Sequence, residues 1–276
     1  MTVDAPIVIT SLSNPVIRRA RSLLRRKGRS QERAFLVEGM TAVADAITTG
    51  AIPQSVFVRD DDDGREWVHR HRKDVEARFV SVGVLASLTE QPHPQGVIAV
   101  FPLDSVSRET RLDVWRDPMI LVADAIADPG NLGTLIRSAA AAGTSLILVS
   151  PNSVDPFHPR CVRAAMGAHF LVSIRSASGD EITAIVGSLP LVALAVANGD
   201  IDYGDVDWNQ PCAIVIGSEA SGPTQAMADL ATANVRIPLA RNLESLNAGV
   251  AGSLLLLEAA QRRRHASDAM TGNPDR

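Results

Sequence analysis

Met119–Ser150 reads MILVADAIADPGNLGTLIRSAAAAGTSLILVS, and the changes of pattern inside it decide the fold class. Ile120, Leu121, Val122 and Ala123 form an unbroken apolar run, too short for a helix and rich in branched side chains, as a buried strand requires. Asp128-Pro129-Gly130-Asn131 is a turn cluster that breaks this strand. From Asn131 the period changes. Leu132, Leu135, Ile136, Ala139 and Ala140 recur at i, i+3, i+4, i+7 and i+8, which is one face of a helix. Gly143 ends the helix, and Ser145–Val149 returns to a strand pattern. A strand, a helix and a strand in succession make a βαβ unit and imply an α/β fold with a parallel sheet.

The polar side of the same helix is the first candidate site. At about 100° per residue, Asn131, Thr134, Arg137 and Ser138 share one arc opposite the apolar face. The arc starts at a helix N-terminus just beyond a strand's carboxyl end, where open α/β sheets bind ligands and helix amides favour anions. Two plainer readings stand beside this one: Asn131 as an N-cap, and Arg137 as a solvated surface charge.

With 276 residues, 46% hydrophobic and 21% charged, the chain has the composition of a globular protein and the length of two domains or one large one. No apolar run reaches membrane-spanning length, and Met1-Thr-Val-Asp4 lacks the regions of a secretory signal. Cys161 and Cys212 are far apart and suggest neither a disulfide framework nor a zinc site. The six histidines show no ligand spacing. No metal and no membrane partner are expected, and a cytoplasmic location is. The net charge of −4 hides an asymmetry. Arg18, Arg19, Arg21, Arg25, Arg26, Lys27, Arg29 and Arg33 crowd one stretch, opposed only by Glu32. Charge runs usually coat a solvated face, but one this one-signed in an acidic protein suits phosphate binding.

Read in order, residues 1–13 look like a disordered or extended lead-in. Residues 14–101 then alternate helical and strand patterns, as a small α/β domain does. Within it Asp60–Gly64 reads as an acidic loop, and Trp67–Ala77 as a helix. The polar stretch 102–118 is the expected linker. A second domain spans 119–264. It includes a helix from Arg160 to Gly167, a strand at His169–Ser173 and a last strand at Val235–Pro238. A long helix then ends at Arg262-Arg263-Arg264, where its dipole favours cations, and 265–276 is a frayed tail.

Three strand-ending loops in the second domain share one character: Pro129–Gly133, Ile216–Gly222, and Ile237-Pro-Leu followed by Ser245-Leu-Asn247. Each places glycine or a small polar residue where backbone can approach a ligand. A nicotinamide dinucleotide site is the obvious competitor. The first loop lacks the opening glycine of G-x-G-x-x-G, and no acidic residue ends the next strand. Together and in order, the loops resemble the SpoU/TrmH family of RNA ribose 2′-O-methyltransferases, within the knotted SPOUT superfamily. The first motif is Asn131-Leu-Gly-Thr-Leu-Ile-Arg137, the second Ile216-Gly-Ser-Glu219-Ala-Ser-Gly222, and the third Ile237-Pro-Leu…Ser245-Leu-Asn247…Leu257-Glu258. Arg160–Ala168 looks like the family's intervening helix. Leu239, Ala248-Gly249 and Leu257 depart from the usual methionine, valine-serine and tyrosine. The first domain is similar to the substrate-binding domain often joined to this one, akin to small RNA-binding ribosomal proteins, with Phe35–Gly39 and Gln95-Gly96 as markers.

The resemblance implies a knotted parallel-sheet methyltransferase domain, a homodimer, and S-adenosyl-L-methionine (AdoMet) as donor to a ribose hydroxyl of structured RNA, ribosomal RNA ahead of tRNA. It implies Asn131, Arg137, Glu219, Ser245 and Asn247 as catalytic residues. Around the cofactor it implies Leu194, Ala195, Val196, Ile216, Gly217, Gly222, Ile237, Leu239, Ser245, Leu246 and Asn247. Family accounts have the arginine matching Arg137 activate the hydroxyl. A guanidinium has no acceptor and stays protonated, so a phosphate clamp is the easier role. Arg18, Arg19, Arg25, Arg26, Lys27 and Arg29 are the expected RNA contacts, and Arg163 stands between an RNA contact and a surface salt bridge. Two other readings remain: an RNA-binding protein that keeps the fold without catalysis, and a nucleotide-binding oxidoreductase. The intact Asn131, Arg137, Glu219, Ser245 and Asn247 oppose the former.

Overall fold

A computed structural model describes residues 7–106, 117–241 and 243–271. Most of the expected linker and the ends of the chain lie outside these residues. The chain divides into two compact units, and the division is not the one expected from sequence: residues 157–171 fold with the first unit, while the second comprises 109–156 and 172–276.

The first unit holds a five-stranded sheet. Its strands are β1 (Val8–Ile9), β2 (Ala34–Glu38), β3 (Ser55–Arg59), β4 (Ala77–Val80) and β5 (Val97–Pro102), in the order β1-β4-β3-β5-β2. β1, β4 and β3 run parallel, and β5 pairs antiparallel with both β3 and β2. Part of the expected lead-in is therefore a sheet strand. β2, β3 and β5 are apolar through their buried residues because both faces are covered, with Glu38, Ser55 and Arg59 at strand ends. Phe35, Val37, Val56, Val58, Val97, Ala99 and Phe101 enter one core cluster, and Ala34, Leu36, Phe57, Ile98 and Val100 enter the other. That is the period of two expected of a strand.

Phe157, Val162 and Phe170 pack in the first of these clusters. Phe170 lies 4.8 Å from Phe101 and 5.9 Å from Phe35 between ring centroids. Burial of these aromatics is what draws 157–171 to this unit. The segment forms α7 (Pro159–Ala165) and a 3-10 turn at Ala168–Phe170 where a strand was expected.

The basic stretch forms two short helices, α1 (Pro15–Ser22) and α2 (Arg26–Glu32). Asn14 caps the first by accepting from the Val16 N–H at 3.0 Å. A Cβ at Gly28 would lie 2.0 Å from the Ser22 carbonyl oxygen, so the tight crossing requires glycine there. The remaining helices are α3 (Met40–Thr48), α4 (Asp62–His71) and α5 (Val82–Ala86). The acidic loop is in fact the start of α4. Asp61 accepts from the Gly64 N–H at 2.9 Å, and Asp62 and Asp63 fill the first turn, where the dipole favours carboxylates.

The second unit is a seven-stranded sheet, wholly parallel. Its strands are β6 (Met119–Ala123), β7 (Leu146–Val149), β8 (Ser173–Ser176), β9 (Leu191–Ala195), β10 (Ile201–Asp202), β11 (Cys212–Ile216) and β12 (Ala233–Arg236). They stand in the order β10-β12-β9-β11-β6-β7-β8. β10 and the helix α9 (Gln225–Leu230) were not legible in the sequence. β12 ends at Arg236, two residues short of its expected limit.

Helix α6 (Pro129–Ala142) stops at the expected glycine but starts two residues earlier than expected, inside the stretch read as a turn. Asp128 accepts from the Asn131 N–H at 2.9 Å, and Gly143 closes the helix at φ 74°. Asn131 is therefore not the cap. Helix α10 (Ala248–Thr271) packs along α6; Ser138 meets it, and Thr134 borders Gly249 while staying exposed. Ser138 Oγ lies 2.6 Å from Ser253 Oγ, and a Cβ at Gly252 would come within 2.2 Å of Leu135.

α10 runs past Arg262–Arg264 to Thr271, so these arginines do not end it and the expected tail is partly helix. The Arg263 guanidinium instead donates to the carbonyl oxygens of Trp208 (2.8 Å), Asp117 (2.9 Å) and Gln210, and to Cys212 Sγ at 3.3 Å. Burial pushes the Cys212 thiol up, and Arg263 opposes the shift. Arg263→Ala should lower stability by roughly 2 kcal/mol in a denaturant titration, the scale of hydrogen bonds from a charged group. Arg263→Lys should recover little, because an ammonium cannot reach three separate carbonyls from one plane.

Candidate active site

Because every strand of the second unit runs the same way, the loops after β6, β9, β11 and β12 open at one edge of the sheet. A cavity of about 710 Å³ lies there, within the size range of small-molecule sites. Its walls are Ala195–Asn198 after β9, Ile216–Glu219 with Gly222 and Pro223 after β11, and Val235–Leu239 after β12. Leu243–Leu246, Ala248 and Ala251 complete it.

Ala195, Val196, Ile216, Gly217, Gly222, Ile237, Leu239, Ser245 and Leu246 all line this cavity. Leu194 does not: at 2% exposed it packs in the sheet core, on the opposite face of β9 from the residue after it. Asn247 is not among the lining residues either. Ala197, Asn198, Pro223, Arg236, Leu243 and Glu244 line it without having been singled out from sequence. Position next to a strand's carboxyl end was the available signal for Ala197 and Asn198.

Beside the cavity, one carboxylate oxygen gathers three segments. Glu219 Oε1 accepts from Asn131 Nδ2 and Asn247 Nδ2, both at 2.8 Å, and from the Ala248 N–H at 2.7 Å. Asn247 Nδ2 also donates to Asn131 Oδ1 at 2.9 Å. Asn247 caps α10, its Oδ1 accepting from the Val250 N–H at 3.2 Å. Ser245 is left facing the cavity.

Arg137 stands apart. It is exposed, outside the cavity lining, and among the described residues no protein group bonds its guanidinium. Six residues of helix separate it from Asn131, roughly 9 Å along the axis. Within this chain Glu219 does not reach Arg137, being committed to the two asparagines and α10.

Residues 118–257, just over half of the chain, match the SpoU rRNA Methylase family. The chain belongs to the SpoU rRNA methylase family. Residues 14–99 match the MRM3-like substrate binding domain. A 23S rRNA guanosine 2′-O-methyltransferase of Bacillus subtilis, RlmP, is 29% identical over 90% of this chain and 97% of its own length. The AdoMet-bound rRNA methyltransferase of Sinorhizobium meliloti superposes with a TM-score of 0.79 at 30% identity, over 94% of this chain and 98% of that one. AviRb of Streptomyces viridochromogenes, also solved with AdoMet, gives 0.80 at 28% identity, over 91% and 98%. Membership makes the chain an rRNA methylase of the SpoU type; AdoMet is the ligand named for the two solved relatives, and a ribose 2′-oxygen the target named for RlmP.

The basic residues of the first unit divide by burial. Arg18, Arg21, Arg25, Arg26 and Lys27 are exposed, and among the described residues no protein group pairs with their side chains. Arg29 is only 3% exposed and donates to the Leu23 carbonyl at 2.8 Å. It braces the α1–α2 turn and is not free to meet a phosphate, which corrects the sequence reading. Arg19 is tied to Glu32 at 2.6 Å and Gln54 at 3.1 Å, so its charge is partly cancelled. Among the described residues Arg163 forms no salt bridge. With the Gln91 carboxamide turned to present its oxygen, Arg163 donates to it at 2.7 and 2.8 Å. A neutral partner orients the guanidinium and leaves its charge whole.

Glu219→Ala should remove the shared acceptor of two carboxamides and one helix N–H, with a stability loss of about 0.5–1.5 kcal/mol because water can reach the exposed groups. Glu219→Gln keeps an oxygen in place and should recover most of that stability in thermal melts. Equal melting points for wild type and the alanine variant would remove this carboxylate from the architecture.

Proposed function

We propose that this protein transfers the methyl group of AdoMet to a ribose 2′-hydroxyl of ribosomal RNA, with the 710 Å³ cavity as the donor site. The observation that carries this reading is the coincidence of the cavity with the Glu219–Asn131–Asn247 cluster at one sheet edge. The residues present suit the donor. Ile216, Ile237, Leu239 and Leu246 offer apolar walls for an adenosine, and the strand ends offer backbone donors and acceptors for its polar groups. Bound there, AdoMet supplies an electrophilic sulfonium methyl, so the chain's own work is positioning and the handling of one proton.

Asn131, Glu219 and Asn247 hold the reacting edge rigid. Ser245 offers a hydroxyl at the cavity for the ribose or the donor. Arg137, exposed and unpaired among the described residues, clamps a phosphate of the target nucleotide. Arg18, Arg25, Arg26 and Lys27, with Arg21 beside them, give the first unit its affinity for the RNA backbone, and Arg163 adds a further cation. Ribosomal RNA is favoured because RlmP is named for 23S rRNA and the substrate-binding match is to MRM3-like proteins. A cytoplasmic location accords with such a substrate.

We also read this chain as a homodimer. Val250, Leu254 and Leu257 are 47%, 40% and 45% exposed. They fall at i, i+4 and i+7 on one side of α10, an apolar stripe that a second copy would cover. The trefoil knot of the superfamily is part of the same proposal, with the segment through Leu239–Asn247 and α10 as the threaded end.

Arg137→Ala should fold and bind AdoMet as wild type does, because the side chain is exposed and outside the cavity. Methyl transfer should fall by two orders of magnitude or more in kcat, on the scale of lost positioning, and Arg137→Lys should restore little. Near-normal turnover by the alanine variant would return Arg137 to the solvated surface. Mapping ribose methylation in RNA from cells with and without the gene identifies the nucleotide.

Neutralising Arg25, Arg26 and Lys27 together should flatten the salt dependence of RNA binding, by roughly one unit of slope for each phosphate that is no longer neutralised. Neutralising Arg29 should cost stability instead. An unchanged slope in the triple variant would make the stretch a solvated face.

A further inference from the structure

The loop from Gly217 to Thr224 is one wall of the cavity, and its two ends are held differently. Its start continues β11 and is fixed by the sheet. Ser218 and Gly222 bridge its neck, the Gly222 N–H donating to the Ser218 carbonyl at 2.8 Å and the Ser218 N–H returning at 3.1 Å. Its far end, Pro223-Thr224, is tied across the sheet: Asp124 Oδ2 accepts from the Thr224 N–H at 2.6 Å. A Cβ at Gly217 would meet the Pro223 nitrogen at 2.5 Å, so the two ends lie against each other and move together.

Asp124 is a costly residue to place there. It is 1% exposed at the carboxyl end of β6, and a buried carboxylate is unfavourable unless hydrogen-bonded. The next residue, Ala125, is held in the left-handed region at φ 55°, where only glycine is at ease. Two further buried side chains secure that turn: Ser150 Oγ accepts from the Ala125 N–H at 2.8 Å and Ser153 Oγ from the Ile126 N–H at 3.0 Å. Strain and buried polar groups concentrated at one strand end point to a task for that end.

We propose that Asp124 is a positioning residue for the methyl donor: through the Thr224 N–H it holds the Gly217–Pro223 wall against the cavity. Its carboxylate touches no substrate. The proposal rests on the cavity being the AdoMet site.

The test is calorimetry with AdoMet on the full chain, beside steady-state kinetics. Asp124→Ala should raise the Kd and KM for AdoMet by about tenfold, the equivalent of ~1.4 kcal/mol and one net hydrogen bond. Its kcat at saturating AdoMet and its KM for RNA should stay within about twofold, a split that general destabilisation would not produce. Asp124→Asn, which can still present an oxygen, should recover most of the affinity.

Thr224→Pro tests the same bond from the other side. Thr224 has φ −68° and makes no side-chain capping bond, so proline fits its backbone and deletes the donor N–H. It should weaken AdoMet as Asp124→Ala does, and the double variant should be no weaker than the worse single. This arm carries the test if Asp124→Ala does not fold. Ala197→Trp, at an exposed lining position, should abolish binding by filling the cavity. Wild-type affinity in Thr224→Pro or Asp124→Ala, with Ala197→Trp dead, would overturn the role of Asp124. Normal binding by Ala197→Trp would overturn the cavity assignment instead.

Discussion

A single oxygen, Oε1 of Glu219, accepts from Asn131 near the start of α6, from Asn247 in the loop before α10, and from the first amide of α10 itself. These groups are 88, 28 and 29 residues away in sequence, so the oxygen joins three segments that local structure alone would leave independent. The position suits a carboxylate, because the N-terminal end of α10 presents unpaired N–H groups and a positive dipole end. It also explains why the motif residues are asparagines. A carboxamide can donate to the carboxylate and accept from a neighbour, as Asn131 does in one place, whereas a second carboxylate would only repel.

The cavity follows from that closure and from strand direction. In a parallel sheet all carboxyl ends face one way, so loops from strands far apart in sequence meet at one edge. The order β12-β9-β11-β6 puts four such ends side by side. α10 then lies on α6 at glycine distance, Gly249 against Thr134 and Gly252 against Leu135 and Ile216. The weaker helix propensity of two glycines is offset by close packing between the helices.

Charge in this protein is sorted by burial more than by sequence position. Arg29 and Arg263 carry the same guanidinium as Arg25 and Arg137, yet theirs is committed to carbonyl oxygens of their own chain. Arg18, Arg25, Arg26 and Lys27 stay exposed and, among the described residues, unpaired. Only such cations can release counterions from an RNA backbone.

The sequence by itself determined what is local. Period and turn chemistry placed the strands of both sheets to within a few residues, with the two-residue strands and β8 as exceptions. Gly143 marked the end of α6, and three ordered motifs carried the family. Tertiary structure decided the rest. Phe157 and Phe170 look no different in sequence from residues of the second unit, and only a hydrophobic cluster with Phe35 and Phe101 assigns them to the first. Leu194 and Ala195 are neighbours in sequence, but the alternation of a strand turns one into the core and the other toward the cavity. Asn131, the apparent cap, yielded that role to Asp128 and took a partner in another loop. In each case the deciding quantity was which distant atom lay within bonding distance or which face was buried, and neither is a property of a stretch of sequence taken alone.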